Sequence, residues 1–473
     1  MSDAYYERLS MLDNSFLVYE SGDAGMHIAS TQIFEAEPLR DPEGNIDFDR
    51  ITRYVESRLD RIPRYRQRLD RTPIEKHPIW VDDADFNIHY HVRHSALPHP
   101  GNERQLKRLV GRIFSQRLDR DKPLWELWIV EGVEGDRIAL ISKVHHCMVD
   151  GVSGAELLAE LLTFEPVEKV DPPRPFRPRP RPSRLQLAMD EMARLARAPL
   201  ALAEEGVRLV RDEDDVRHEL AERLRALSRF ASDGAHMATP VPFNQPIGPH
   251  RRIDWLPMSI TRIKAVRRKL GGSLNDVVLA TAAGGLADYL ERVRKVDLSE
   301  LDFRVMTPVS VRSPAEKGEL GNRVSAWIVP LPLAERDPVE RLSIIRETTR
   351  GLKESHQALG ALALSEVTEW TGSALLSLGA RLMNYGTPFN MVITNVPGPQ
   401  APLYLLESQM LVAHPLVPLL GQLGLGIALF SYAGTLSWGF SADWNLMPDL
   451  HELVTAVETA FEELARRADG VAG

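Results

Sequence analysis

One short segment of the chain, Lys143–Gly151, gathers side chains that could do chemistry. It reads KVHHCMVDG and holds two adjacent histidines, the single cysteine of the chain and an aspartate. A neutral imidazole accepts a proton near pH 7, which is what a general base must do. Asp150 could fix the tautomer of a nearby imidazole or pair with an arginine, and Gly151 permits a tight backbone path. The segment makes one of its histidines a candidate general base.

The neighbouring sequence indicates which way the two histidines point. The apolar run in RIALISKVHH is typical of a strand, in which successive side chains point to opposite faces of a sheet. We therefore expect His145 and His146 to face opposite ways, so that only one of them lines a given cleft. Two partly buried histidines bonded to backbone groups remain an alternative from these residues alone.

Three other kinds of site fit the segment less well. A metal site is disfavoured because a strand separates the two rings, and the chain has neither an H-E-x-x-H motif nor a cysteine pair. A nucleophilic cysteine is disfavoured because alternation places Cys147 opposite His146, and a lone cysteine is usually a small buried hydrophobe. A serine hydrolase would need G-x-S-x-G, but GVSGA ends in Ala155.

Length and composition limit the protein classes to consider. At 473 residues the chain is long enough for two or three domains, and its 44% hydrophobic and 26% charged residues are typical of globular proteins that fold in water. A net charge of −9 argues against general attraction to nucleic acid. The single cysteine excludes an intramolecular disulfide, and MSDAYYERLS lacks the layout of a secretory signal. Together these features predict a cytoplasmic protein.

Apolar periodicity predicts alternating helices and strands in the first half of the chain. Helices are expected at FDRITRYVESRLDRI, ERQLKRLVGRIFSQRL and GVSGAELLAELLTF. Extended segments are expected at IWVDDADFNIHYHVRH, LWELWIVEGV and RIALISKVHH, the last two joined by a Glu-Gly-Asp turn. The histidine pair therefore falls at a strand end in a mixed α/β unit.

The second half repeats this mixed pattern. Helices are expected at ITRIKAVRRKLG, SLNDVVLATAAGGLADYLERV, VERLSIIRETTRGLKESH and HELVTAVETAFEELARRA, and strands at FRVMTPVSVR, RVSAWIVPLPL, FNMVITNVPG, GIALFSY and TLSWGFSAD. Residues 409–442 are long and apolar enough to span a bilayer, but their prolines and glycines favour buried strands. The two halves suggest two similar lobes with a cleft between them.

The sequence between the halves changes character. Residues 171–184, DPPRPFRPRPRPSR, predict an extended spacer, and a contact with an anionic headgroup or nucleotide phosphate is an alternative role. The next apolar residues have helical spacing: Leu185, Met189, Met192 and Leu195. The polar face of this predicted helix carries charges of both signs, which favours a helix that covers the core over one that lies on a membrane. The predicted organisation is a lobe at 1–170, a linker with helices at 171–240 and a second lobe at 241–473.

Several motifs together resemble those of a known family. The spacing H-H-x-x-x-D-G is similar to the signature of CoA-dependent acyltransferases, which condensation domains of peptide synthetases share. The whole chain resembles the bacterial wax ester synthase/acyl-CoA:diacylglycerol acyltransferase family, because further motifs occur in the family's order over nearly the entire length. These motifs are LSMLDNSFLVYE, IPRYRQRL, WVDDADFNIHYHVR, PLWELWIVEG, FNQPIGPHRR, SLNDVVLA, TPVSVR, GNRVS and ITNVPGP. One departure is Trp444 in ADWNLMPD, where the family pattern leads us to expect a basic residue.

The resemblance implies a fold and a reaction. The fold would be α/β (α+β), with two chloramphenicol-acetyltransferase-like lobes, each a mixed sheet flanked by helices, and an active site in the tunnel between them. The reaction would move a long-chain acyl group from acyl-CoA to the hydroxyl of diacylglycerol, with a fatty alcohol as a second acceptor and with no metal or redox cofactor. His146 would be the general base, His145 its neighbour in the motif and Asp150 a structural residue, followed by Gly151.

Residues of the second lobe would complete the implied site. Candidate donors to the developing oxyanion are Asn275 in SLNDVV and groups near Asn395 in TNVPG. Asp276 either caps the start of a helix or supports the cleft. Arg312 in PVSVR could pair with Asp150 across the lobes, as an arginine does in related acyltransferases.

The resemblance also implies partners and leaves alternatives. We expect peripheral contact with the inner membrane face or the surface of a lipid droplet, and no nucleic acid. One alternative is a condensation enzyme that acts on carrier-bound substrates. Another is a non-catalytic protein that binds lipid surfaces and retains the acyltransferase fold.

Overall fold

The strands form three sheets in the computed structural model, which describes residues 5–148, 160–196, 237–310, 324–354 and 387–470. In chain order the strands of this part are β1 (Glu7–Arg8), β2 (His27–Glu35), β3 (Gln67–Arg71), β4 (Pro78–Asp82), β5 (Val92–Ala96), β6 (Trp125–Val133), β7 (Arg137–His145), β8 (Arg251–Ser259), β9 (Arg304–Ser310), β10 (Val324–Pro330), β11 (Met391–Pro397), β12 (Tyr404–Leu405), β13 (Ser408–Leu416), β14 (Leu425–Tyr432) and β15 (Thr435–Asp443).

Helices cover these sheets. In the described residues they are α1 (Met11–Tyr19), α2 (Phe48–Arg58), α3 (Ile88–His91), α4 (Glu103–Ser115), α5 (184–196), α6 (Ile260–Leu270), α7 (Leu274–Asp288), α8 (Pro338–Glu354) and α9 (Leu450–Gly470). Single 3₁₀ turns occur at Glu37–Leu39, Leu59–Arg61, Pro63–Arg66 and His146–Met148, and a π turn at Tyr289–Val293 extends α7. The predicted alternation of helices and strands is thus present in both halves.

The first large sheet carries the histidine motif on a central strand. Its order is β12-β13-β2-β7-β6-β5, and all neighbours are antiparallel except β5 and β6. The register between β2 and β7 pairs His27 with His145. β7 is buried along its length apart from its first residue, because it lies between β2 and β6 and a hydrophobic cluster covers each of its faces. The 3₁₀ turn that follows His145 therefore starts from a strand with partners on both sides.

The second large sheet has the order β10-β9-β11-β14-β15-β8, with β11 parallel to both of its neighbours and the other pairs antiparallel. The largest hydrophobic cluster lies between this sheet and helices α7, α8 and α9. Most of α7 is buried, because its sequence is apolar on every side of the helix. Each half therefore contains a mixed sheet flanked by helices, and the predicted two-lobed fold class is confirmed.

One strand of the second half belongs to the sheet of the first. β13 pairs with β2, and it also contacts β14 and β15 of the second sheet. Gly439 on β15 is required at this crossing, because a Cβ there would overlap the carbonyl oxygen of Pro415. The lobes are thus joined by backbone packing as well as by a linker. The domain boundaries given above, 1–170, 171–240 and 241–473, stay a prediction.

A second junction lies between α4 and β8. Asn102 and Gln105 form a capping box that begins α4, as the spacing N-x-x-Q suggests. A Cβ at Gly111 would lie 2.9 Å from the carbonyl oxygen of Arg251, so only glycine lets the helix approach the strand so closely. The Arg251 amide then donates to Ser115 Oγ at the end of α4 (2.8 Å).

The apolar stretch at 409–442 forms strands β13, β14 and β15, as predicted. Within the described residues no helix has both the length and the apolar character that crossing a membrane requires. The first nine residues of the expected helix GVSGAELLAELLTF (151–159) and all of the charged sequence from 197 to 230 lie outside the described residues.

Two local predictions differ from the structure. The segment IWVDDADFNIHYHVRH is extended at both ends, but α3 interrupts it, because the Asn87 side chain accepts the His89 amide (3.0 Å) and starts a helical turn. The spacer at 171–183 has no helix or strand, and α5 begins one residue before the expected start.

The helix α5 exists where predicted, but its apolar stripe does not cover the core. The four residues of the stripe are between 41% and 70% exposed: Leu185, Met189, Met192 and Leu195. The opposite face holds the helix, because Leu187 packs on Ile79 and Val81, and the buried Glu191 carboxylate accepts the amides of Ile74 (2.8 Å) and Glu75 (3.1 Å). The prediction of a core-covering apolar face is therefore wrong for this stretch.

Candidate active site

His146 is the first residue after β7, at the start of the 3₁₀ turn His146–Met148. Its amide donates to the carbonyl oxygen of Met26, which directly precedes β2 (2.8 Å). Its ring stacks on Phe16 of α1, with centroids 3.9 Å apart and planes at 23°. Both the backbone and the ring of His146 are therefore fixed by residues more than a hundred positions earlier in the chain.

The surroundings of His146 keep its imidazole neutral. Nδ1 is buried, whereas the residue as a whole remains partly accessible. Burial, with a smaller contribution from the charge of His145, lowers the pKa of His146 to about 4. At pH 7 the ring therefore has a free lone pair and can accept a proton.

His145 has a different environment from its neighbour, because the strand ends between them. It is only 1% exposed, and its Nδ1 accepts the Cys147 amide (3.2 Å) and lies 3.0 Å from Cys147 Sγ. Since Nδ1 accepts a hydrogen bond, a ring proton of His145 lies on Nε2, which is 3.6 Å from Glu20 Oε1. His145 thus holds the turn from inside the lobe.

Glu20 and His27 are residues that the sequence reasoning missed. Glu20 Oε1 lies 3.4 Å from His27 Nε2, and Arg120 Nε donates to Oε2 at 2.8 Å. Burial alone would raise the pKa of Glu20, but hydrogen bonds and charges of His145 and Arg120 outweigh it and lower the pKa to about 2. The motif LSMLDNSFLVYE contains Glu20 and Phe16, but nothing in its spacing links them to a histidine so distant in sequence.

Cys147 is a buried thiol. It has no exposed surface, and burial, with the charge of Asp13 next, raises the pKa of its thiol well above the ordinary value. Strand alternation predicts that Cys147 lies opposite His146, on the side of His145, and Sγ does lie 3.0 Å from His145 Nδ1. The conclusion that it is a small buried group agrees with the structure.

The candidate residues of the second lobe lie on two elements. Asp276 is buried and engaged on both oxygens: Oδ2 accepts the Ser273 amide (2.6 Å) and Oδ1 accepts the Thr349 hydroxyl (2.8 Å). Asn275, on the same turn of α7, and Asn395, on β11, are partly accessible. In the part of the chain that the structure describes, neither asparagine is hydrogen-bonded to His146. The choice of oxyanion donor stays a prediction.

Three predicted site residues lie outside the described residues: Asp150, Gly151 and Arg312. Their roles and the pairing of Asp150 with Arg312 therefore stay predictions. Within the described ranges no group of three or more His, Cys, Asp or Glu side chains is arranged to hold a metal ion.

Comparison with known proteins identifies the family. The family model described as the wax ester synthase/diacylglycerol acyltransferase catalytic domain matches residues 9–278, and the model of the C-terminal domain of that family matches residues 320–465. The chain belongs to the wax ester synthase/diacylglycerol acyltransferase family. It is an acyltransferase, as the histidine motif led us to expect.

Relatives and solved structures agree with this family. One relative is the Mycobacterium tuberculosis (strain CDC 1551 / Oshkosh) protein MT1809, provisionally named a diacylglycerol O-acyltransferase. It is 32% identical to this chain, over 98% of this chain and 91% of its own length. The "Probable diacylglycerol O-acyltransferase tgs2" of M. tuberculosis (strain ATCC 25618 / H37Rv) is 32% identical over 96% of this chain and 97% of its own. The wax ester synthase/diacylglycerol acyltransferase from Marinobacter aquaeolei VT8 superposes with a TM-score of 0.68 at 25% identity, covering 98% of this chain and all of the other.

The fold is shared more widely than the family. The first condensation domain of the calcium-dependent antibiotic synthetase superposes with a TM-score of 0.60 at 16% identity, over 98% of this chain and 96% of that domain. At this identity the likeness shows the two-lobed fold alone.

Proposed function

We propose that the acyltransferase moves a long-chain acyl group from acyl-CoA to the hydroxyl of diacylglycerol, and also accepts a fatty alcohol, with His146 as the general base. The observation that carries the proposal is the state of His146: a neutral, partly accessible imidazole held between the Met26 carbonyl and the Phe16 ring. The names of its relatives support diacylglycerol and long-chain alcohols as acceptors.

The proposed step begins with the acceptor alcohol. Because Nδ1 of His146 is buried, Nε2 is assigned to take the hydroxyl proton as the oxygen attacks the thioester carbonyl. The tetrahedral intermediate then expels the CoA thiolate, which recovers the proton from His146, so no metal or redox cofactor enters the reaction. Asn275 and groups near Asn395 remain the proposed donors to the oxyanion, and Asp150 remains the proposed structural partner.

The decisive experiment uses purified enzyme with palmitoyl-CoA and diacylglycerol, and no carrier protein. CoA release is followed with a thiol reagent, and products are separated by thin-layer chromatography. His146→Ala should lower turnover by about 10²–10⁴-fold, whereas His145→Ala should lower it less. His89→Ala is the matched control, since that side chain is exposed on α3.

Each alternative predicts a different outcome of the same experiment. A condensation enzyme would leave free diacylglycerol unacylated until a carrier-bound substrate is supplied. A non-catalytic lipid-surface protein would bind lipid and release no CoA. Parental turnover by the His146→Ala enzyme would overturn the assignment of the base.

The proposal includes peripheral contact with the inner membrane face or lipid droplets, where diacylglycerol is found. The exposed stripe of α5, formed by Leu185, Met189, Met192 and Leu195, supports this contact. The spacer before it supplies exposed arginines such as Arg174 and Arg177, which attract anionic lipid headgroups.

Vesicle flotation tests the lipid contact. A Met189→Glu, Met192→Glu enzyme should bind anionic vesicles more weakly, while CoA release with a water-soluble alcohol stays parental. Met237→Glu is the control, because Met237 is similarly exposed (55%) outside the stripe. Unchanged binding by the double variant would remove α5 from the proposed surface.

A further inference from the structure

A buried carboxylate lies on the inner side of the histidine turn, and its side chain is only 3% exposed. Glu20 directly follows α1, and its amide donates to the Phe16 carbonyl (3.1 Å). Its side chain is held by Arg120, which reaches it from the loop before β6. Glu20 is therefore a fixed charge in the first lobe, well placed to act on the groups around it.

One connection from Glu20 to His146 passes through His145. Glu20 Oε1 faces His145 Nε2 at 3.6 Å, and the other nitrogen of that ring accepts the Cys147 amide (3.2 Å). The carboxylate thus favours the tautomer in which Nδ1 is free to accept. This tautomer ties the 3₁₀ turn that His146 begins to the end of β7.

Two more connections act on His146 itself. Glu20 Oε1 accepts the Met26 amide (3.4 Å), and the Met26 carbonyl accepts the His146 amide (2.8 Å). Glu20 also ends α1, the helix that carries the Phe16 ring stacked on His146. Two contacts of Glu20 Oε1 and the backbone amide of Glu20 at the end of α1 therefore converge on the backbone and the ring of the proposed base.

We propose that Glu20 is a positioning residue for acyl transfer, whose carboxylate holds the His146 imidazole in its reactive orientation through His145 and Met26. This inference rests on the proposed function of His146. Glu20 does not touch substrate in this role. Its loss should misplace the base, and a displacement of about 1 Å can cost about 10²-fold in rate.

Glutamine is an informative replacement because it keeps the shape and the Oε1 acceptor while removing the charge. Glu20→Gln can still accept the Met26 amide and keeps an oxygen facing His145 Nε2, so it should recover most of the rate that Glu20→Ala loses. A merely structural role would make the rates follow the stabilities of the variants. A positioning role makes them follow the presence of the acceptor oxygen.

The matched control is Glu191, a buried glutamate of α5 that accepts two backbone amides. Glu191→Ala should lower the melting temperature and leave kcat at the parental value. Glu20→Ala should lower kcat by about 10²-fold, with KM for palmitoyl-CoA nearly unchanged, and Glu20→Gln should lose less than about tenfold.

A double variant distinguishes failure of this inference from failure of the proposed function. If Glu20 acts through His146, Glu20→Ala should cause no further loss in a His146→Ala enzyme. If His146→Ala is inactive but Glu20→Ala and Glu20→Gln both keep the parental kcat, the positioning role is wrong and the base remains. If His146→Ala keeps parental turnover, the proposed base itself is wrong. Equal losses for the alanine and glutamine variants would also contradict the inference.

Discussion

The ring of Phe16 stacks on the ring of His146, with centroids 3.9 Å apart. The proposed base is thus held by the first helix of the chain as well as by its own strand. Offset aromatic contacts of this kind contribute about 1 kcal/mol, which corresponds to roughly a fivefold effect on an equilibrium. The contact covers one face of the imidazole and leaves its edge, where the accepting lone pair lies in the ring plane, free of the Phe16 ring.

We therefore expect Phe16→Ala to lower kcat by about tenfold, since the ring can then leave its orientation. Phe86→Ala is the matched control, because Phe86 stacks on His91 (5.3 Å, 12°) away from the turn. Steady-state kinetics with palmitoyl-CoA check the prediction. Equal kcat values for the two variants would show that the stack does not orient the base.

The pH dependence should reveal the lowered pKa of His146. Because burial lowers that pKa to about 4, kcat/KM should stay constant as the pH falls through 6.5 and decline only toward 4. Stability has the same sign: the unfolded state binds the proton first, so stability is lost as the pH falls from the unfolded pKa of about 6.5 to the folded one.

Initial rates across a buffer series check this prediction, with enzyme returned to neutral pH to separate titration from unfolding. The Phe16→Ala enzyme should show its decline at higher pH, since solvent reaches the ring more easily. A parental profile that falls by half near pH 6.5 would contradict the neutral, desolvated imidazole.

Local sequence signals predicted much of the fold. Ser273 and Asp276 have the spacing of a capping box, and α7 begins there. The alternation of LWELWIVEGV and RIALISKVHH marked β6 and β7 correctly. These predictions are correct because each depends only on residues that are close together in the sequence.

Contacts between distant residues could not be predicted in this way. The pairing of β13 with β2 and the contact of Glu20 with His145 join positions far apart in sequence, and a period of two or 3.6 residues carries no information about them. The prediction that the apolar stripe of α5 covers the core failed for a related reason. An apolar helix face indicates that the face needs a partner, but it does not indicate which partner.

Cys147 should not react with thiol reagents in the folded enzyme. The side chain has no exposed surface and burial raises its pKa, so little thiolate forms and none is accessible. Cys147→Ala should keep kcat within about threefold, since the thiol takes no part in acyl transfer. Titration of native and denatured enzyme with a chromogenic disulfide checks this. Rapid labelling of Cys147 in the native enzyme, or loss of turnover in the Cys147→Ala enzyme, would instead support a nucleophilic role for this thiol.

Asp276 should contribute to the stability of the second lobe, because both of its oxygens are already bonded at the start of α7. Asp276→Ala should lower the free energy of unfolding by about 1–2 kcal/mol. Ser273→Ala should cost less, since it leaves the contact with Thr349 intact and removes only the hydroxyl that accepts the Asp276 amide. Urea unfolding of both variants checks the order. An Asp276→Ala enzyme with parental stability and no turnover would instead place this carboxylate in contact with the reacting groups.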